Sequence, residues 1–424
     1  MRTWFAKRLI VGAIALALLG GEAGAQLMPL LQLPPIGGVI DQVGRTGRGA
    51  IEGLDPAFEQ IGASAGALAQ ARIARLQDVV RAGRGLLEMT DSGPAVRGEV
   101  IALDPDRAVL TAAEAAGFAR LGDEQIEGLD LRAVRLQVPR GWSVDRALSR
   151  LRRLVPNAEF AANNLHGQSG GAAGAVAGTL MTSRPNGGVP VGIIDGGVAT
   201  HPSLRGPVEQ RGFVAGAPRG SSHGTAVASL IAGQGVVRGA LPGAPLIVAD
   251  VYGTDPTGGN VLVLARALGW MALRHVGVVA MSLVGPANPV LARAIAQAQA
   301  RGVRVVAPVG NDGAAAPPAF PASYPGVIAV TGVDGRDRVL VEAGRALHLD
   351  YAAPAGDMAA ANPAGGLAPV RGTSFAVPLV AGRLAAHAGA ANPVAALDGE
   401  AAERGRARVG RGIVCRDCRT LYRR

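Results

Sequence analysis

Three short segments combine the residue types that catalysis by a serine nucleophile requires. An apolar run ends on Asp195, a second apolar run begins at His223, and a Gly-Thr-Ser turn carries Ser374. Serine is a weak nucleophile at neutral pH unless a histidine takes its proton and an acid orients that histidine. The three segments therefore predict a triad in which Ser374 attacks, His223 transfers the proton and Asp195 orients the imidazole.

Each segment also has an ordinary structural explanation when it is considered alone. Many strands end in aspartate, a lone histidine is more often a surface or core residue, and serine at a helix start is usually a cap. The chain order Asp, His, Ser is nevertheless one of the orders in which this triad occurs. A helix start at Ser374 would also favour the negative charge that develops when a serine attacks a carbonyl.

The three segments together resemble the motifs of the subtilisin-like serine proteases. Asp195-Gly196-Gly197 is similar to the family's Asp-Thr/Ser-Gly turn. The run His-Gly-Thr-Ala-Val-Ala from His223 is similar to its His-Gly-Thr-x-Val-Ala helix, and Gly-Thr-Ser-Phe-Ala-Val-Pro around Ser374 to its Gly-Thr-Ser-Met-Ala-x-Pro helix. Three matches in one order are a specific signal. The resemblance covers roughly residues 187–388 and implies a serine endopeptidase.

A fourth segment resembles the family's strand that ends in Gly-Asn. It reads Val-Val-Ala-Pro-Val-Gly-Asn-Asp-Gly over residues 305–313. The resemblance implies that Asn311 donates a hydrogen bond to the oxyanion, together with the backbone N–H of Ser374. The alternative is that Asn311 is a turn residue of the Asn-Asp-Gly sequence.

A fifth segment, Ala-Met-Ser-Leu-Val-Gly-Pro over residues 280–286, resembles the family's Asn-Met-Ser-Leu-Gly-Gly-Pro strand. That edge binds the substrate backbone as an added strand. The resemblance implies a binding stretch and a facing pocket wall, whose residues are Ser282, Leu283, Val284, Pro308, Val309 and Gly310, with Ala319 near the pocket floor.

Three residues depart from the family pattern. Val284 and Ala319 stand where glycine is common, so both add side-chain bulk. We therefore expect a shallow pocket that prefers a small side chain before the cut bond. Gly196 replaces a hydroxyl residue that supports the triad aspartate, so we expect Asp195 to lose one support and activity to be lowered.

The elements that must position these residues follow a regular alternation. From Gly187 to about Ala388, short unbroken apolar strands alternate with helical runs. Because such strands are buried on both faces, the pattern predicts an α/β fold with a doubly wound, mostly parallel sheet. A small α+β unit is expected over Arg97–Asn164, after a helical N-terminal segment.

The resemblance gives that α+β unit a role. Subtilisin-like proteases commonly carry an α+β propeptide before the catalytic domain, which assists folding and inhibits through its C-terminal strand. We therefore expect the chain's own propeptide-like domain to be a partner of the peptidase domain, with self-cleavage between about Phe160 and Asn186. An unrelated accessory domain is the alternative.

The N-terminus predicts export. Arg2, Lys7 and Arg8 precede an apolar run from Leu9 to Leu19, and Ala-Gly-Ala over 23–25 supplies a cleavage site. The location is then the periplasm or the extracellular space. The expected organisation is a signal peptide (1–25), a flexible and helical N-terminal region (26–95), a propeptide-like domain (96–165), a Gly/Ala linker (166–186), a peptidase domain (187–390) and an arginine-rich tail (391–424).

Composition and motifs argue against nucleic acid as a partner. The formal charge is +10 but aromatic residues make up 3%, and no nucleic-acid-reading motif accompanies the arginines, so nucleic acid is not an expected partner. Contact of the basic tail with a membrane stays open. Cys415 and Cys418 lie in an exported chain, which favours a local disulfide over a reactive pair or a metal site.

No cofactor or metal is expected. Calcium occurs in the family that the sequence resembles, but no calcium ligands can be assigned in this sequence. Two other functions compete with an endopeptidase acting on proteins or peptides. A catalytically weak homologue that binds peptides or partner proteins is supported by Gly196 and Val284. An esterase of the α/β-hydrolase type would need a G-x-S-x-G elbow and the order Ser, Asp, His, and neither surrounds Ser374.

Overall fold

The computed structural model describes residues 56–168, 188–403, 405 and 408–421. Three predicted segments lie outside the described residues: the signal peptide, the first part of the N-terminal region (26–55) and the linker beyond residue 168. Residues Ile61–Arg424 form one compact unit, which holds the two large sheets. Within the described ranges, no helix is both long enough and apolar enough to cross a membrane.

Eight α-helices are found in the described part of the chain. They are α1 (Pro56–Ala82), α2 (Arg107–Ala115), α3 (Val144–Leu154), α4 (Ser222–Ala232), α5 (Val261–Leu273), α6 (Pro289–Ala300), α7 (Ala376–Ala386) and α8 (Pro393–Glu400). Polar side chains cap several of them by accepting a backbone N–H of the first turn, as Ser143 does for α3 and Asn260 for α5.

The first sheet is antiparallel and belongs to the α+β unit. Its strands are β1 (Leu87–Thr90), β2 (Gly93–Leu103), β3 (Ala119–Gln125), β4 (Arg132–Gln137) and β5 (Glu159–Asn164). The central strand β2 pairs with β1, β4 and β5. Alternate residues point to opposite faces, so Val100 packs under α2 and α3 while Ile101 faces the peptidase core.

The remaining strands are β6 (Gly167–Gln168), β7 (Val191–Asp195), β8 (Val208–Gly212), β9 (Leu246–Asp250), β10 (Val278–Ala280), β11 (Leu283–Val284), β12 (Arg304–Pro308), β13 (Ile328–Val333), β14 (Tyr351–Pro354), β15 (Met358–Ala361) and β16 (Leu367–Val370). Seven of them form a parallel sheet in the order β14-β13-β12-β10-β7-β9-β8. Outside this sheet, the two-residue strands β6 and β11 pair with each other, and β15 pairs with β16.

The parallel sheet is covered on both faces, as the apolar strands predict. One core contains residues of α4 and α7, and the other contains residues of α5 and α6. Every residue of β7 is buried. The prediction of a doubly wound α/β fold is therefore confirmed. Asp195 ends β7, and Asn311 follows β12, so both lie at the carboxyl edge of the sheet, where sites of open parallel sheets are built.

The boundaries of the α+β unit differ from the expectation. The unit begins at Leu87 in β1, earlier than residue 96. Helix α2 ends at Ala115, and the chain then forms β3, because Gly117 takes a positive φ of 92° that turns it. Residues 166–168 are not linker, since Gly167 and Gln168 form β6.

The arginine-rich C-terminal tail packs against the parallel sheet. Ile413 and Val414 are fully buried. The N–H of Val414 donates to Ala352 of the edge strand β14, and the N–H of Ala352 donates to Gly412. The tail therefore continues the parallel sheet at an edge that would otherwise expose unpaired backbone groups.

Candidate active site

The acid and the base of the predicted triad are in direct contact. His223 Nδ1 lies 2.8 Å from Asp195 Oδ2 and 3.0 Å from Oδ1. Both side chains are buried, with His223 exposed by only 3%. A carboxylate in this position fixes the tautomer that leaves Nε2 as the base. Nε2 has no hydrogen-bond partner among the described residues.

The predicted nucleophile lies in a 3-10 turn, Thr373–Phe375, that leads into α7. Its hydroxyl donates to the carbonyl oxygen of Ser282 at 3.2 Å, while the Ser282 hydroxyl donates to the Ser374 carbonyl at 3.0 Å. The bond between Ser374 Oγ and His223 Nε2 is thus not made in this structure. Catalytic hydrogen bonds are often long or absent before a substrate is bound.

Two glycines let the aspartate turn and the histidine helix approach each other. A Cβ on Gly224 would lie 2.2 Å from the Gly196 carbonyl oxygen. A Cβ on Gly196 would lie 2.4 Å from the hydroxyl oxygen of Ser221, which caps α4. The Ser221 side chain therefore occupies the space that a hydroxyl residue at position 196 would need.

Asp195 keeps more support than the Gly196 departure suggested. The backbone N–H of Gly196 donates to Asp195 Oδ1 at 2.7 Å, and Gln168 Nε2 donates to the same oxygen at 2.9 Å. These two hydrogen bonds hold the Asp195 carboxylate in place beside His223.

The predicted oxyanion residue is held by the serine turn. Asn311 Oδ1 accepts the N–H of Thr373 at 2.9 Å, and the Thr373 hydroxyl donates to the Gly310 carbonyl at 3.1 Å. The side-chain oxygen of Asn311 is thus bonded to the serine turn, and the other terminal atom of this amide, Nδ2, is a hydrogen-bond donor. The structure thus places an amide donor in the loop that contacts the turn of the predicted nucleophile.

The residues expected to restrict the pocket face one another. A Cβ built on Gly310 would lie 3.6 Å from the Ala319 methyl and 3.7 and 3.8 Å from the two methyls of Val284. Leu283 and Ser282 are buried beside them, as is Val309, which follows Pro308 at the end of β12. The side chains of Val284 and Ala319 therefore fill space next to Gly310.

The predicted substrate-binding edge is occupied by the chain itself. Gly167 pairs with Val284 and Gln168 with Leu283 in antiparallel register. On the opposite side, the His166 N–H donates to the Gly259 carbonyl, and Leu165 forms an antiparallel bridge with Asn260. The segment 165–168 is therefore an inserted strand between two edges, and it follows β5 of the α+β unit directly.

The α+β unit is joined to the peptidase domain by more than this strand. Asn288, the cap of α6, donates to the Ala162 carbonyl and to Asn164 Oδ1. Arg293 of α6 pairs with Asp104 at 2.8 Å and with Glu159 at 3.1 Å. Apolar side chains of the sheet share one core with α5 and α6.

Helix α1 contacts the loop that carries Asn311. Arg72 Nε lies 3.2 Å from one carboxylate oxygen of Asp312, and Arg75 pairs with the other. A Cβ on Gly313 would lie 2.8 Å from the Leu68 side chain. Residues 68, 72 and 75 lie on one helix face, so this face of α1 rests beside the candidate site.

Sequence reasoning missed Gln168, Ser221 and Asp312 as parts of the site. Gln168 lies in a run of Gly, Ala and Ser that carries no strand signal. The helix-cap position of Ser221, two residues before His223, was the available signal for that residue. The contact of Asp312 with α1 has no local signature, because its partners lie more than 200 positions away.

The two cysteines of the tail, Cys415 and Cys418, form a disulfide. No group of three or more His, Cys, Asp or Glu side chains in the described ranges is arranged to hold a metal ion. Arg419, next to the disulfide, donates to the carbonyls of Gly356 and Asp334. The disulfide therefore closes a turn that is anchored to the loops after β13 and β14.

Residues 186–400 match the Peptidase S8 (subtilase) family. Subtilisin BL of Lederbergia lenta is 35% identical over 207 residues, which are 47% of this chain and 75% of that protein. Alkaline elastase YaB of Bacillus sp. (strain YaB) is 36% identical over 206 residues, which are 46% of this chain and 53% of that protein.

Two solved structures share the fold. Fervidolysin of Fervidobacterium pennivorans aligns with a TM-score of 0.61 at 19% identity, over 77% of this chain and 61% of that one. The epidermin leader peptide processing protease of Staphylococcus aureus aligns with a TM-score of 0.57 at 15% identity, over 75% and 97%. The family match and the subtilisin relatives decide the assignment: the chain belongs to the subtilase family of serine-type endopeptidases.

Proposed function

We propose that Ser374, His223, Asp195 and Asn311 form the catalytic machinery of this endopeptidase. Ser374 attacks the peptide carbonyl, and its proton passes to His223 Nε2 and then to the leaving amine. Asp195 stabilises the imidazolium, while Asn311 and the Ser374 N–H bind the oxyanion. The observation that carries this proposal is the buried His223–Asp195 pair, whose Nε2 has no competing partner in the described structure.

The preferred substrate has a small side chain before the cut bond. The side chains of Val284 and Ala319 both lie next to Gly310, which leaves little depth for a large side chain. One relative is named an elastase, and elastase-type pockets are small. The pocket geometry is the main support, because it concerns this chain's own residues.

The α+β unit acts as a propeptide that keeps the enzyme latent. The segment 165–168 lies on the edge that a substrate strand would use, and Gln168 reaches the carboxylate of Asp195. A substrate strand cannot pair with Leu283 and Val284 while this segment is docked. Self-cleavage after Gln168, in the segment 169–186, would separate the two parts.

The enzyme acts outside the cytoplasm after export. The N-terminal segment has the charge and apolar pattern of a signal peptide, and a disulfide closes the C-terminal turn. Disulfides persist in oxidising compartments. The substrates are then proteins or peptides of the periplasm or the extracellular space.

Mass spectrometry of the purified protein tests latency and self-processing together. Wild type and Ser374→Ala are expressed in the same exporting host, and their N-termini are determined. We expect wild type to begin within residues 169–187 and Ser374→Ala to retain the α+β unit. Equal trimming of both proteins would contradict self-processing.

A further inference from the structure

His166 is the most unusual side chain of the docked segment. It is 1% exposed, and neither ring nitrogen has a hydrogen-bond partner among the described residues. Buried polar groups are nearly always hydrogen-bonded, and a buried group without partners destabilises the state that buries it. An apolar side chain could fill this position without that penalty, so the imidazole weakens the docked state relative to an apolar residue.

The ring is enclosed from several sides. A Cβ on Gly285 would lie 2.5 Å from two ring carbons, so the ring fits directly against the backbone of the substrate-binding edge. The backbone of His166 is held on the other side, where its N–H donates to Gly259 and its carbonyl accepts the Tyr252 hydroxyl at 2.9 Å. The imidazole is therefore shielded from bulk solvent while the segment stays docked.

The groups that face the ring do not compensate a positive charge. Burial lowers the pKa of His166 to about 4, and the backbone groups of Pro286 and Asn164, which lie near the ring but outside hydrogen-bond geometry, offset this only in part. Tyr252, the titratable side chain next to the segment, stays neutral because burial and the nearby carboxylates of Asp195 and Asp250 raise its pKa. Asp195 is itself engaged by His223 and Gln168.

We propose that His166 is an acid-sensitive latch, whose protonation releases the segment 165–168 from the substrate-binding edge. The neutral ring is compatible with the closed site, whereas the imidazolium requires water or a counter-ion, and no described side chain beside the ring supplies a counter-ion. Release exposes Leu283 and Val284 to substrate and frees Asp195 from Gln168. The inference rests on the proposed function, since it concerns regulation of the same site.

The direction of the pH effect follows from the two protonation states. An undocked histidine has an ordinary pKa of about 6.5, and the docked one has a pKa of about 4. Docking is therefore fully favoured above pH 6.5 and weakens as the pH falls toward 4. At pH 5 the equilibrium constant for docking is expected to be roughly thirtyfold lower than at high pH, because proton binding is linked to docking through these two pKa values.

Hydrogen exchange measured by mass spectrometry on the full-length Ser374→Ala protein tests this latch without catalysis. Protection factors of the peptide that contains 165–168 are compared at pH 7 and pH 5, each corrected for the intrinsic exchange rate at that pH. We expect a loss of about 10- to 30-fold at pH 5, while the buried strand Val191–Asp195 keeps its protection. Unchanged protection of 165–168 would overturn the proposal.

His166→Phe in the same background is the matched control, because phenylalanine keeps a planar ring at this position and does not titrate. Its segment should stay protected at pH 5, and His166→Leu replaces it if the Phe variant does not fold. Equal acid sensitivity of either variant would also overturn the latch. If the wild-type protein has no peptidase activity, the proposed function is contradicted, whereas the exchange result is unaffected.

Discussion

Enlarging the pocket beside Gly310 should change the substrate preference in a predictable direction. The double variant Val284→Gly, Ala319→Gly removes the three carbon atoms of one side chain and the methyl of the other. Both side chains lie within 4 Å of the position that a Cβ on Gly310 would occupy. The space that opens is adjacent to the strand that pairs with the docked segment, and therefore lies where a side chain before the cut bond would enter.

The size of the effect follows from apolar burial. Fully burying a phenylalanine side chain contributes about 1.5–3 kcal/mol. A pocket that admits this side chain only in the variant converts that energy into a gain of roughly 10- to 150-fold in kcat/KM. A substrate with alanine before the cut bond gains nothing, because its methyl already fits.

The assay compares chromogenic peptides that differ only in that residue, alanine or phenylalanine, with the processed enzyme. Val284→Ala should give an intermediate ratio, and thermal unfolding of each variant controls for loss of folded protein. A wild-type enzyme that already prefers phenylalanine or arginine would refute the account of the pocket. A Phe/Ala ratio that does not change in the double variant would refute it equally.

Three further changes probe the site and its supports. Asn311→Ala should lower kcat by about 10²–10³ with little change in KM, which steady-state kinetics would show. Gly196→Ser should destabilise the protein by about 1–3 kcal/mol, because its Cβ would meet Ser221 at 2.4 Å. Adding Ser221→Gly should restore the lost stability in thermal unfolding, and an additive loss in the double variant would contradict the steric account. Replacing Cys415 and Cys418 by serine should cost about 2 kcal/mol in urea unfolding, and an unchanged midpoint would contradict a stabilising role for the disulfide.

The sequence was sufficient for the parallel sheet because its strands are buried on both faces. Runs such as Val191–Ile194 contain no alternation, which is typical of strands covered by helices on two sides. Strand β8 lacks this signal because it is an edge strand of Val-Glu-Gln-Arg-Gly, in which polar residues interrupt the apolar run. β14 has a weak signal because three of the four residues in Tyr-Ala-Ala-Pro, the two alanines and the proline, have low strand propensity.

Several features of the site depend on tertiary contacts and had no local signal. Gly167 and Gln168 are extended because an existing edge pairs with them, and their own propensity does not favour a strand. Ile413 and Val414 lie among arginines and glycines, so their burial follows from the sheet edge that they cover. The weakened support expected for Asp195 was offset by Gln168, whose distance in the sequence is 27 residues.

In the proposed mechanism, Ser374 is a nucleophile activated by His223 and Asp195. The most direct measurement is labelling of the processed enzyme with a fluorophosphonate, followed by peptide mapping. We predict one covalent adduct on Ser374, with labelling slowed strongly by His223→Ala and by Asp195→Asn in protein that remains folded. Peptide hydrolysis that persists without an adduct on Ser374, or an adduct that forms equally fast in the His223→Ala protein, would contradict the account.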